Sequence, residues 1–277
     1  MFQKKILVAA VAAMSLSFGA QALTIDLFST PQANLIDYTN GSQAYADGLS
    51  SQAGSAGDLT ILGGYRDAWV TALSGANNNS GEELGSKLGV SGGLLRFSND
   101  SGVVGVAELQ WDGGLDAANP SVIDSAVGLG GVSFAGLTNF ELTTVESDLG
   151  YTIELTIYSS ATNWTKVSLD AHAVSGDSAP VVSYIPLAAF SNDFLCGSYG
   201  ADTDVNLISC GGTGADLNSI TALTARINAG DTVAGQNPTT NIDLRLTSVN
   251  VVPEPASLAL VGLGLLGLGA ARRRKAA

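Results

Sequence analysis

Glu108, Glu154 and the single histidine, His172, are the candidates for hydrolytic chemistry in this 277-residue chain. A glycosidase needs two carboxyl groups facing each other across the bond it cleaves, and Glu108 and Glu154 both fall in segments with a strand-like pattern. A serine–histidine–aspartate triad would have to use His172, which its neighbours Asp170 and Lys166 place on a polar face. Solvated surface side chains explain these positions more simply, so the sequence predicts a protein that is not an enzyme.

Two tryptophans are candidates for glycan binding. Trp111 and Trp164 lie near the ends of predicted strands and have polar neighbours. An indole ring offers a large apolar face with one polar atom, which suits stacking on a sugar ring. Packing in the core or at its rim is the alternative interpretation of both residues.

Alternating oxygen ligands at Asp202, Asp204 and Asn206 resemble the start of a calcium loop. The pattern then departs from an EF-hand, because position 207 is leucine where that loop has glycine and the closing glutamate is absent. An acidic loop is the simpler interpretation. Calcium is kept as the weaker alternative, and no other cofactor is expected.

The two cysteines, Cys196 and Cys210, are separated by 13 residues. In an oxidising compartment this spacing predicts one local disulfide. A zinc site is the alternative, but it needs four ligands, and the single histidine cannot complete a set with two cysteines.

Strands must position these side chains, because the region between the chain ends is rich in turn residues and alternating apolar positions. The clearest strand is 151–158, where Ile153, Leu155 and Ile157 alternate with polar residues. A second strand at 166–173 follows after a short polar connection and predicts a hairpin. The other predicted strands are 24–28, 94–97, 103–111, 132–134, 140–145, 181–185, 222–227 and 242–252.

Two further features of this pattern predict local structure. The last strand changes phase, which predicts a bulge near Ser248. Residues 65–73 are assigned to one or two helical turns, and residues 41–57 and 74–93 to loops. The number of short strands predicts an all-β fold, a single β-sandwich of jelly-roll or galactose-binding-like type spanning 23–250.

Charge is distributed unevenly along the chain. The region from Leu23 to Val252 holds 24 of the 25 acidic residues but only 6 of the 12 basic ones, which gives it a formal charge of −18. Such a field repels nucleic acid and anionic lipid headgroups. It is compatible with cations and with neutral partners such as glycans.

The first 22 residues have the layout of a signal peptide. Lys4 and Lys5 precede an apolar run of 13 residues, and Ala20-Gln21-Ala22 supplies small residues at the two subsites that signal peptidase reads. The run is too short to span a bilayer as a helix. Cleavage after Ala22 would leave Leu23 as the first residue of the exported protein.

The last 27 residues, 251–277, form a tail of three parts. Pro253-Glu254-Pro255 is held extended by its prolines, and 16 uncharged residues from 256 to 271 follow. Arg272, Arg273, Arg274 and Lys275 then form a stop-transfer signal that keeps the end in the cytoplasm. A plain transmembrane anchor would explain the apolar run and the cations but not the Pro-Glu-Pro sequence.

This tail resembles that of the PEP-CTERM proteins of Gram-negative bacteria, which are substrates of exosortases. The resemblance rests on Pro-Glu-Pro, a short hydrophobic helix containing Gly-Leu and an arginine-rich end, from Val252 to Lys275. It implies that Pro253, Glu254 and Pro255 are recognised by a membrane-embedded transpeptidase, with processing near them. It also implies an association with exopolysaccharide and biofilm.

The sequence thus predicts an exported protein that passes through signal peptidase, an inner-membrane intermediate and exosortase to reach the cell surface or the extracellular matrix. A non-enzymatic protein associated with exopolysaccharide is the leading hypothesis for the body. The alternatives are a carbohydrate-binding module with a defined glycan ligand and a secreted hydrolase.

Overall fold

Two antiparallel sheets make up the chain in its computed structural model, which describes residues 21–41, 50–114, 122–126, 128–191, 195–197, 205–230 and 238–253. Sheet I contains β1 (Leu23–Asp26), β2 (Gln32–Asp37), β5 (Ser86–Ser91), β6 (Leu94–Asn99), β8 (Asn139–Ser147), β11 (Val181–Pro186) and β14 (Asp243–Val252). Sheet II contains β3 (Ser50–Gly54), β4 (Tyr65–Ser74), β7 (Val104–Trp111), β9 (Tyr151–Tyr158), β10 (Trp164–Ala171), β12 (Val205–Gly211) and β13 (Ala222–Ile227). Helix within these residues is limited to a 3-10 turn at Leu62–Gly64 and to α1 (Ala188–Ser191).

The strand order is not the chain order in either sheet. Sheet I runs β11-β8-β14-β6-β5-β2, with β1 paired to β14 beyond the end of β6. Sheet II runs β12-β10-β9-β13-β7-β4-β3. Two antiparallel sheets packed on a shared apolar core make an all-β sandwich, which confirms the predicted fold class at that level.

The predicted hairpin is confirmed. β9 has the predicted bounds, and it pairs with β10 from Trp164 opposite Tyr158 to Ala171 opposite Tyr151. The inward residues Ile153, Leu155 and Ile157 are all buried, because period-two alternation places every second side chain on the core face. The β9–β10 pair of sheet II is therefore encoded locally in the sequence.

Aromatic side chains close one part of the core. The rings of Phe134 and Phe140 meet edge to face with centroids 5.7 Å apart, and Phe190 of α1 lies 5.4 Å from Phe140. Such tilted contacts are the favoured arrangement of aromatic pairs. The short helix thus serves to deliver one buried ring.

The last strand also follows its prediction. The β14–β8 register shifts between Arg245 and Leu246 and again between Leu246 and Ser248, which confirms the bulge near Ser248. The strand reaches Val252, so the body predicted to end at 250 continues for two more residues of sheet.

Three sets of local assignments were wrong. Residues 65–73 form part of strand β4 and not a helix. Both faces of β4 are covered, with Trp69 buried on one face and Ala68 and Val70 on the other. The alternation of apolar and polar residues that marks a half-exposed strand is therefore missing from the sequence. The predicted loops contain β3 and β5, whose five and six residues are too short to give a clear period. The predicted strand 132–134 is only an isolated bridge from Val132 to Ile220.

Candidate functional site

Charged side chains line up across the outer face of sheet II. Arg226 of β13 stands opposite Glu108 of β7 on one side and opposite Glu154 of β9 on the other. On β10, Lys166 stands opposite Thr156, which lies two residues after Glu154 on the same face of β9. Their neighbours in sequence point into the core, so these four side chains point outward.

The four charges form a connected set of ion pairs. Arg226 Nε lies 3.3 Å from Glu108 Oε1, and Arg226 Nη1 lies 3.8 Å from Glu154 Oε2. Lys166 Nζ lies 3.5 Å from Glu154 Oε1, which also accepts a hydrogen bond from Ser168 Oγ at 3.4 Å. The cations are 38% and 34% exposed and the carboxylates 23% and 15%, so the set is open to solvent but partly desolvated.

Two aromatic residues flank this charged set. Trp164 of β10 stands opposite Tyr158 of β9 on one side and opposite Gly211 of β12 on the other, and both aromatic side chains are half-buried. Burial raises the pKa of the Tyr158 hydroxyl, a hydrogen bond with Thr224 opposes that rise, and the charge of Glu108 adds to it. The hydroxyl of Tyr158 therefore interacts with Thr224 and with the charge of Glu108.

Gly211 sets the position of the Trp164 ring. The three heavy atoms nearest to the point where a Cβ would stand on Gly211 are Nε1, Cε2 and Cδ1 of Trp164. The indole therefore covers the Cα of Gly211, and a side chain there would displace it. Gly211 is needed for close approach and not for a left-handed backbone, since its φ lies outside that region.

Together these residues line an open depression of about 290 Å³. Its lining consists of Glu108, Glu154, Thr156, Tyr158, Trp164, Lys166, Thr224 and Arg226. The depression combines an apolar ring face with hydroxyls, carboxylate acceptors and cationic donors. A sugar presents the matching chemistry, because its ring carries an apolar face and a rim of hydroxyl groups.

The structure places three of the sequence candidates in this depression and leaves Trp111 out. Glu108, Glu154 and Trp164 are brought together there, whereas Trp111 is 1% exposed in the core. Its Nε1 donates to Asp26 Oδ2 at 3.0 Å. A sugar ring has no access to that indole, so Trp111 is excluded as a stacking residue.

The other chemical candidates lie elsewhere. His172 follows β10 and lines two different depressions beside Asp170. The predicted disulfide between Cys196 and Cys210 is present and ties the 195–197 segment to β12. Asp202 and Asp204 lie outside the described residues, as does the side chain of Asn206, and among the residues described no group of three or more histidine, cysteine, aspartate or glutamate is placed to hold a metal ion.

Both ends of the described body lie at one place in sheet I. Leu23 of β1 stands opposite Val251 of β14, and Pro253 directly follows β14. Ala22 is exposed, while Ala20 and the segment 254–277, including Glu254, Pro255 and the Arg272–Lys275 cluster, lie outside the described residues. In the part of the chain that is described, no helix is long and apolar enough to cross a membrane.

Arg226, Tyr158 and Gly211 belong to the site although they were not among the residues predicted from the sequence. The alternation in β13 places Arg226 on a polar face, and the register of the β9–β10 hairpin places Tyr158 beside Trp164. The partners of Arg226 come from strands that are distant in sequence, and Gly211 carries no chemical group. No local pattern therefore predicts that Arg226 or Gly211 belongs to the site.

The tail matches a known sorting signal. Residues 251–275 match the PEP-CTERM protein-sorting motif, which implies export, sorting to the cell surface and exosortase as the processing partner. No curated protein sequence matches the chain.

Three solved structures show distant similarity. PfGH50B shares 11% identity at a TM-score of 0.36, over 61% of this chain and 22% of its own. An exo-beta-agarase shares 12% identity at a TM-score of 0.37, over 86% of this chain and 25% of its own. The third is a family 11 carbohydrate-binding module from Clostridium thermocellum, solved in complex with a beta-1,3-1,4-mixed-linked tetrasaccharide. It shares 8% identity at a TM-score of 0.34, over 85% of this chain and 98% of its own. This chain thus spans about a quarter or less of the first two proteins.

Proposed function

Since the chain is a protein with a PEP-CTERM sorting motif, we propose that its body is a non-enzymatic module that holds exopolysaccharide at the cell surface. In this proposal the segment 1–22 is a signal peptide cleaved after Ala22. The apolar segment 256–271 and the cations 272–275 hold the protein in the inner membrane until exosortase acts near Pro253-Glu254-Pro255. Attachment to the matrix and to biofilm then depends on the β-sandwich.

One observation carries the glycan-binding part of the proposal. The Trp164 ring is fixed over Gly211 at the border of an open, polar depression on sheet II. A ring held in place by the backbone of the neighbouring strand loses little freedom when a ligand stacks on it, which favours binding. Hydroxyls and ion-paired side chains beside it supply hydrogen bonds to the rim of a sugar.

The same geometry argues against hydrolysis as the role of Glu108 and Glu154. A glycosidase needs one carboxyl group that carries a proton and a second that acts as base or nucleophile. Both carboxylates here pair with Arg226, and Glu154 also pairs with Lys166. Both carboxylates are thus engaged by cations, so we assign the two glutamates to binding.

Affinity electrophoresis of the full chain in detergent, through gels containing the exopolysaccharide of the host, tests the binding role. Trp164→Ala is expected to weaken retardation at least about tenfold, as removal of an aromatic anchor does. Tyr184→Ala is the matched control, because Tyr184 is 52% exposed on β11 of the other sheet. Equal retardation of the parent and Trp164→Ala would contradict the assignment of the site.

Fractionation of the host tests the sorting role. Replacement of Pro253, Glu254 and Pro255 by alanine is expected to hold the full-length protein in the inner membrane, whereas Ser257→Ala in the adjacent tail should behave like the parent. Unchanged processing and release of the triple variant would exclude a specific role for the motif.

A further inference from the structure

The pairing of every charge in the depression bears on which glycans fit it. We propose that the ligand is a neutral, hydroxyl-rich polysaccharide and not a polyanion bearing uronate, sulfate or phosphate groups. This inference rests on the proposed function, since it concerns the ligand of the same site.

The cations of the site are already neutralised. Arg226 lies between Glu108 and Glu154, and Lys166 pairs with Glu154, so two positive charges face two negative ones. A site that selects carboxylate or sulfate offers arginine or lysine without a competing internal acid. Here an anionic sugar would have to compete with Glu108 and Glu154 for Arg226.

The net negative charge of the protein also disfavours an anionic ligand. The region from Leu23 to Val252 has a formal charge of −18, from 24 acidic and 6 basic residues. Such a charge repels a polyanion before it reaches the depression, most strongly at low ionic strength. A neutral polymer approaches without that barrier.

The arrangement of the polar groups suits hydroxyls. Glu108, Arg226 and Glu154 lie on three adjacent strands, about 4.8 Å apart, in the order acceptor, donor, acceptor. Thr156 and Thr224 add hydroxyls that both donate and accept. A sugar hydroxyl can bond to either kind of group, whereas a carboxylate or sulfate bonds only to the donors.

A matched pair of polymers tests the inference. The full chain in detergent is run in affinity gels containing a panel of neutral glucans, galactans and mannans, and in gels containing the same polymers after carboxymethylation. The expected result is retardation by at least one neutral polymer, at least about tenfold weaker retardation by its carboxymethylated form, and less than about twofold change between 20 and 500 mM NaCl.

Variants tie that result to the site. Trp164→Ala removes the ring, and Gly211→Ala displaces it without touching the charges, so both should lose retardation by the neutral polymer. The double variant Glu108→Gln, Glu154→Gln leaves Arg226 and Lys166 without their acids and should gain retardation by the carboxymethylated polymer at 20 mM NaCl.

The outcomes separate the two claims. Stronger binding of the charged polymer that is lost in Trp164→Ala would overturn the neutral ligand while leaving the glycan-binding role intact. Absence of retardation by every polymer in both forms would overturn both claims.

Discussion

Replacing Asp26 with alanine is expected to destabilise the sandwich strongly, because this side chain joins the two sheets through a buried ion pair. Asp26 of β1 accepts from Arg66 Nη1 at 3.0 and 2.9 Å, and both side chains are fully buried. It also accepts from Trp111 Nε1 and from the backbone N–H of Phe28. Burial raises the pKa of Asp26 above its usual 3.8, and Arg66 and the N–H donors oppose that rise.

The magnitude follows from what the substitution leaves behind. Arg66 keeps its bond from Nε to Gln32 Oε1 and its bond from Nη2 to the carbonyl of Thr30, but its charge is no longer balanced. Removing one member of a buried pair costs about 3–5 kcal/mol. Because the Trp111 donor is also orphaned, we take about 4 kcal/mol as a lower estimate. With an m-value of about 2.5 kcal/mol/M, the urea midpoint falls by about 1.6 M.

Urea unfolding of the full chain in detergent, followed by tryptophan fluorescence, measures this shift. Lys87→Met is the matched control, because its pair with Asp100 is partly exposed and should contribute less than about 1 kcal/mol. The double variant Asp26→Leu, Arg66→Met removes both charges and should recover part of the loss, because Trp111 Nε1 and Gln32 Oε1 stay unpaired. An Asp26→Ala midpoint within about 0.2 M of the parent would refute the reasoning.

Two more predictions concern stability. Replacing Cys196 and Cys210 with serine should lower the free energy of unfolding by about 3 kcal/mol, the chain-entropy value for a loop of this length, and equal urea midpoints for parent and variant would contradict it. Burial raises the pKa of Tyr151 to about 12, against a hydrogen bond with Thr144. The unfolded chain releases this proton near pH 10, so stability should fall as the pH rises from 10 to 12, by about 2.7 kcal/mol in total, and Tyr151→Phe should flatten that slope.

Local patterns sufficed for some strands and failed for others. The β9–β10 hairpin was predictable because Ile153, Leu155 and Ile157 alternate with polar residues and the partner strand follows at once. β4 was not, because Arg66 points into the core, where its charge is balanced by a residue 40 positions away, and Trp69 is buried on the opposite face. Period-two alternation disappears when both faces of a strand are covered.

The site was predictable in its parts but not in its assembly. The alternation of β9 predicted that Glu154 lies on the outer face of the hairpin, whereas Trp164 was predicted only to lie near a strand end. The pairing of Arg226 with Glu108 depends on β13 lying between β7 and β9, which no local pattern encodes. Of the two interpretations of Trp111, packing in the core is the correct one. Its polar neighbours Gln110 and Asp112 kept a surface position open, yet these two are themselves buried and bonded to each other.

The pairing of β1 with β14 determines where the chain can be cleaved without loss of a strand from sheet I. The carbonyl of Val252 accepts from the N–H and the hydroxyl of Thr138, and Pro253 has no N–H with which to continue the ladder. A cut beyond Val252 therefore leaves sheet I intact. A cut after Ala22 also spares β1, but Asp26 lies only four residues further on. Cleavage of the proposed signal peptide beyond Asp26 would remove the acid that balances Arg66. We expect such a product to be destabilised at least as much as Asp26→Ala. N-terminal sequencing and urea unfolding of a shifted-cleavage variant would measure the cleavage position and the loss of stability.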